Sequence, residues 1–135
     1  MNMVNKKTIV IILISLIISA SIYLFFFYLS VIDTKNISLS GYVLDEETKK
    51  PISNVLVVIN NERYEDDKGN KNYDEYLGKD RIELYSDNNG YYSTTIEKSA
   101  FITLSFQKNN YIKKEEKGRY ASKQMKYETY LRKER

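Results

Sequence analysis

Residues 8–32, TIVIILISLIISASIYLFFFYLSVI, run for 25 positions without a charge. A helix crosses a bilayer core with roughly 20 apolar residues, so this stretch cannot share a core with a water-soluble domain. A cleavable signal has a shorter apolar region, about 7–15 residues, that ends at small side chains. Ser19-Ala20-Ser21 would be such an end, but six residues rich in Tyr and Phe follow at 23–28, and cleavage would leave a bare aromatic N-terminus. The reading is therefore an uncleaved signal-anchor helix over 8–32, with a secreted form after cleavage as the alternative. The chain has no cysteine, which excludes lipid attachment through one. Lys6 and Lys7 precede the run and Asp33 closes it. The positive-inside bias then places residues 1–7 in the cytoplasm and everything after the anchor outside. In a bacterium this is a single-pass inner-membrane protein facing the periplasm, with Tyr23 and Tyr28 in the outer aromatic belt.

The 103 residues that follow are one domain's worth of chain. Without Lys6 and Lys7, the 21 basic residues become 19, against 18 acidic ones. That balance gives no electrostatic footprint for nucleic acid. Ile37, Leu39, Gly41 and Val43 share one parity, the mark of a half-buried strand. Asp45 to Lys50 reads as a charged turn, and Pro51 suits the first residue of the next strand, where no ladder donor is needed. Val55, Val57 and Ile59 alternate inward. Residues 60–81 break the period and read as a long loop, with a short helix near 73–77; a loop of that length is usually functional or disordered. Strands follow at 82–86, 91–96, 101–106 and 125–131, with Asp87-Asn88-Asn89-Gly90 as a tight hairpin turn and KKEEK at 113–117 as a solvated turn. Short strands at turn-marked spacing predict an all-β fold, a seven-strand-type antiparallel β-sandwich. Its predicted core is Leu39, Val43, Val55, Val57, Ile59, Ile102, Leu104 and Phe106.

Two blocks of residues carry a resemblance. The first is Gly41-Tyr-Val43-Leu-Asp45, then Thr48-Lys-Lys-Pro51, then Val55-Leu-Val57. The second is Ser86-Asp87-Asn-Asn-Gly90-Tyr-Tyr92, with Asn110-Tyr111 after the next strand. Together they resemble the carboxypeptidase regulatory-like domain of bacterial envelope proteins, a transthyretin-like sandwich. The resemblance covers about residues 37–131, leaving 33–36 as linker and 132–135 as a charged tail. Lys49 or Lys50, Asn54 and Asn110 stand where that family has glycine, and Asn tolerates left-handed backbone best after Gly. The resemblance implies structural roles for Gly41, Val43, Asp45, Pro51, Asp87, Gly90, Tyr92, Asn110 and Tyr111, and no chemistry. It implies Tyr92 and Tyr111 rings in the core with hydroxyls reaching the edge.

The chain has neither histidine nor cysteine, so thiol nucleophiles, Ser-His triads and the commonest zinc ligands are absent. No cofactor, metal or catalytic residue is assigned, and the expectation is not an enzyme. Carboxylates crowd 65–80, but their spacing does not fit a calcium loop and lysines interleave them. Of eleven tyrosines beyond the anchor, Tyr64, Tyr73 and Tyr76 sit in the long loop and are the candidate partner-binding residues. The function expected from sequence is a non-catalytic structural or protein-interaction module of the cell envelope, with an envelope protein and the lipid bilayer as partners. A peptide- or glycan-binding accessory domain using loop 60–81 is the alternative. Oligomeric state is not legible.

Overall fold

The computed structural model describes residues 3–30, 32–72 and 74–135. Met1–Ile32 and Asp33–Arg135 form two separate compact units.

The first unit is a helix, α1 (Lys6–Ser30). Asn5 caps it: its carbonyl accepts from Ile9 N at 3.1 Å and its side chain from Lys7 N at 3.2 Å. The serines inside are satisfied within the helix, Ser19 Oγ on Ser15 O and Ser21 Oγ on Ile17 O. Its 25 residues span about 37 Å at roughly 1.5 Å per residue. Lys6–Leu29 is long and apolar enough to cross a membrane, with a mean hydropathy of 2.8, and is the one such helix among the described residues. Its Ile, Leu and Phe side chains stand exposed all round. A helix that is apolar all round is one that could be held in a membrane.

Among its described residues the second unit holds eight strands: β1 (Thr34–Asp45), β2 (Leu56–Arg63), β3 (Gly78–Tyr85), β4 (Tyr91–Ser99), β5 (Phe101–Gln107), β6 (Lys114–Glu115), β7 (Arg119–Tyr120) and β8 (Gln124–Leu131). They make two sheets. One has the order β4-β1-β8; the other has β3-β2-β5-β6, with β7 also paired to β5. The alternating apolar residues meet between them. All eight predicted core side chains are fully buried, joined by Ile37, Ile96, Met125, Leu131 and the rings of Tyr92 and Tyr127.

The architecture corrects the predicted seven-strand-type antiparallel sandwich. The two sheets are small and open, and β8 lies parallel to β1, with Ser38 opposite Gln124 and Asp45 opposite Leu131. Alternation reports which side of a strand is buried; it does not report direction. Asp87–Gly90 is not a hairpin turn either. β3 pairs with β2 and β4 with β1, so this turn carries the chain from one sheet to the other. Asp87 Oδ1 accepts Asn89 N and Tyr91 N to hold it. Gly90 has φ +71°, and a Cβ there would lie 2.5 Å from Val43 O.

Residues 60–81 are less irregular than their polarity suggests. β2 runs to Arg63 and β3 starts at Gly78, leaving 64–77 as the connection of a long hairpin. Residues 74–77 are not helical, and Tyr73 lies outside the described residues. KKEEK is solvated as expected, but it is a short edge strand and not a turn: β6 falls within it, and Glu116 N donates to Leu104 O at 2.9 Å. The expected linker and tail are also built in. β1 begins at Thr34, Arg132 pairs with Glu46 at 2.8 Å, and Glu134 N bonds Asn110 O.

Pairing sorts the loops to two ends. Thr34 lies opposite Ser99, Phe101 opposite both Glu62 and Tyr120, and Arg63 opposite Gly78. These residues surround the point where the chain enters the domain. Asp45, Pro51, Gly90 and Tyr111 gather at the far end.

Candidate functional site

At the entry end the sheets part. On β2 the inward parity runs Val57, Ile59, Asn61, Arg63, so the buried row changes from apolar to polar without changing side. Asn61 and Arg63 are thereby held in the gap between the sheets, facing β4. They line a cleft of about 460 Å³ together with Glu65, Asp66, Asp67, Gly69, Asp80, Ile82 and residues 95–98 of β4.

Arg63, a tenth exposed, organises the cleft. Its Nε meets Asp80 Oδ2 at 2.9 Å, one Nη meets Asp67 Oδ1 at 2.8 Å, and the other donates to Glu65 O at 3.0 Å. Burial works against the guanidinium charge, but the hydrogen bonds to Asp67 and Asp80 outweigh it and raise the Arg63 pKa above its ordinary value. Lys98 lies 3.6 Å from Glu65. Asp66 accepts Asn70 N, Lys68 N and Asn70 Nδ2, and these bonds, the Asn70 amide foremost, hold its carboxyl below the usual range. Five carboxylates thus face two cations around the cleft.

Asn61 is buried. Its Nδ2 donates to Asp80 Oδ2 at 3.2 Å and to Lys98 O at 2.8 Å, which fixes the amide's orientation, while no protein donor reaches its Oδ1. A buried acceptor left unmet costs about 1–3 kcal/mol. Among the described residues no group of three or more Asp and Glu side chains converges as a metal-binding set.

The sequence-predicted residues fall elsewhere. At the far end Asp45 accepts Glu47 N at 2.9 Å and Thr48 N at 3.0 Å, and Asp45 N bonds Lys50 O at 2.8 Å, closing the turn onto Pro51, whose neighbour in the ladder is Leu44. Lys49, Asn54 and Asn110 all have positive φ, 60°, 55° and 70°. Val43 lies in the core. Gly41 leaves room for the Tyr92 ring; a Cβ would meet that ring and stand 2.7 Å from Tyr127 O. Tyr111 OH reaches Asp45, but Tyr92 OH is buried and meets no protein partner, contrary to the edge position expected of it. The rings of Tyr64 and Tyr76 meet at a tilt at the entry end, centroids 5.2 Å apart, and neither lines the cleft. Asn61, Arg63 and Lys98 were not singled out from sequence. The signal was there: Asn61 and Arg63 continue the parity of Val57 and Ile59, and polarity hid it.

A scan against protein-family models finds no match, and a comparison with curated proteins finds none either. Solved structures do match in fold. One is 3-chlorocatechol 1,2-dioxygenase from Rhodococcus opacus 1CP, with a TM-score of 0.55 and 13% identity over 75% of this chain and 61% of that one. Another is the dioxygenase domain of a dioxygenase–carbohydrate-binding protein fusion from Streptomyces sp. SirexAA-E, with a TM-score of 0.53 and 12% identity over 74% of this chain and 81% of that one. The domain has a dioxygenase-like β fold. The chain spans about three-fifths of the length of the first of these enzymes.

This likeness corrects three expectations. The resemblance to carboxypeptidase regulatory-like, transthyretin-like domains is replaced by one to dioxygenase β domains. The matched motifs were turn and core residues, which many two-sheet folds need alike. The exclusion of enzyme function and the purely non-catalytic role also fall, because this architecture is one on which catalytic domains are built. At these identities the likeness is one of fold.

Proposed function

We propose that the chain is a membrane-tethered domain that binds a small cationic ligand, an amine-bearing molecule, in the Asn61–Arg63 cleft. The observation that carries this is the cleft lining, where carboxylates outnumber cations beside Asn61, whose buried Oδ1 meets no protein donor. An ammonium is a donor without acceptors and suits both features. The Arg63 guanidinium is committed to Asp67, Asp80 and Glu65 O, so it shapes the cleft and does not recruit an anion. The activities of the similar structures are not transferred, since the support for this reading is the cleft.

The anchor reading belongs to the same proposal. Residues 8–32 span a bacterial membrane with Lys6 and Lys7 inside and residues 33–135 on the extracytoplasmic face, supported by the charge asymmetry about the apolar helix.

The test uses the full chain in nanodiscs and 1,4-diaminobutane as probe, followed by calorimetry at low and high salt. Saturable binding that weakens with salt and is lost in Asn61→Leu, with succinate not binding, is the expected result. No binding, or equal binding of succinate, overturns the reading.

A further inference from the structure

A row of aromatic rings crosses the outer side of the β2–β3–β5 sheet at the entry end. Tyr64 and Tyr76 have centroids 5.2 Å apart, Tyr76 stacks on Phe101 at 6.2 Å, and Phe101 meets Tyr120 edge-on at 5.5 Å. The row does not belong to the core: Ile102, Leu104 and Phe106 face inward and Phe101 faces the other way. Phe101 lies flat over Gly118, where a Cβ would collide with its ring. Tyr120 is 77% exposed and Leu77, beside Tyr76, is exposed as well. Such a surface has an apolar body and hydroxyl tips, the chemistry found where protein meets the headgroup region of a bilayer.

The row is fastened to the point of chain entry. Asp33, the first residue of the domain, is buried, and its carboxylate accepts Tyr64 N at 2.8 Å and Glu65 N at 3.3 Å. Thr34 Oγ1 donates to Ala121 O at 3.3 Å, and Ala121 N donates to Ala100 O at 2.9 Å, which ties the Phe101–Tyr120 pair to the same end. Asp33 follows the end of α1 by three residues, at most about 10 Å of extended chain. Lys35, opposite Lys98 in the β1–β4 ladder, and Lys123, whose carbonyl accepts Ser38 N, are exposed at the same end of the domain, and basic side chains are attracted to lipid phosphates.

We propose that the Tyr64–Tyr76–Phe101–Tyr120 row rests in the interfacial region of the same bilayer that holds the anchor. The row lies on a face of the domain other than the cleft, so the contact stands or falls apart from the ligand.

The chain has no tryptophan, so a single Tyr→Trp change gives one indole, which is excited selectively at wavelengths beyond the tyrosine absorption. Tyr120→Trp keeps an interfacial aromatic in the row. Tyr85→Trp is the control: Tyr85 is exposed, but it lies at the far end of β3, about 23 Å away along the strand from Gly78. The full-length variants are placed in phosphatidylcholine–phosphatidylglycerol nanodiscs with lipids brominated near the carbonyl end of the acyl chains. Several-fold stronger quenching and a blue-shifted emission for Tyr120→Trp over Tyr85→Trp is expected. Equal quenching of the two, or a water-like emission from Tyr120→Trp, overturns the proposal. Circular dichroism of both variants confirms that the comparison is between folded proteins.

Discussion

The Tyr111 hydroxyl donates to Asp45 Oδ2 at 2.9 Å, joining positions 66 residues apart at the far end of the domain. Asp45 is held below its ordinary pKa, first by the Thr48 amide, then by this hydroxyl, against an opposing effect of burial. A carboxyl lowered in the folded state adds stability above its unfolded pKa and loses it as pH falls through the folded value. Glu46, lowered by its hydrogen bonds to Arg132, acts in the same direction. Stability should therefore fall on acidification below about pH 4. Tyr111→Phe should lower the denaturation midpoint at neutral pH and flatten the acid-side loss. Parallel pH profiles for the two proteins would show that the bond adds nothing.

Val57 is fully buried between the sheets. Val57→Ala removes two methyl groups from a packed core and should cost about 1–3 kcal/mol. Urea unfolding at constant m-value measures it. A loss well under that range would mean the sheets close over the site.

Gly41 and Tyr92 exclude each other's growth, so a pair of substitutions tests the packing. Gly41→Ala should cost about 1–3 kcal/mol by overpacking, because the carbonyl of Tyr127 cannot move aside as a side chain could. Tyr92→Phe removes a hydroxyl with no protein partner, and in the Gly41→Ala background it should restore part of the loss. Thermal melts of the four proteins complete the cycle, and strict additivity would disprove the coupling.

Arg63→Lys keeps a charge but loses the fork that joins Asp80, Asp67 and Glu65 O. Because Asp67 is largely exposed, the expected cost is about 2 kcal/mol, below the ~3–5 kcal/mol of a fully buried pair. Guanidinium denaturation reads it. A Lys variant as stable as the parent would remove Arg63 as organiser of the cleft.

The cysteine-free sequence allows topology to be read with one substitution. Asn88→Cys places a thiol on the exposed inter-sheet turn. A membrane-impermeant maleimide should label it in spheroplasts without lysis. Labelling only after lysis reverses the orientation.

The sequence by itself determined the apolar helix, because 25 uncharged residues admit few other fates. It also determined the β character and eight of the core side chains. These follow from local pattern, because the apolar parity of a strand can be read along the chain. Tertiary structure alone decided strand direction and partner. Nothing local in Met125 to Leu131 says that β8 runs parallel to β1, nor that Asp87–Gly90 crosses between sheets, since a turn sequence fixes a bend and not what the next strand pairs with. The cleft was hidden for the same reason. Asn61 and Arg63 look like loop residues until Asp80, seventeen positions beyond Arg63, supplies the charge that makes an arginine at that depth tolerable.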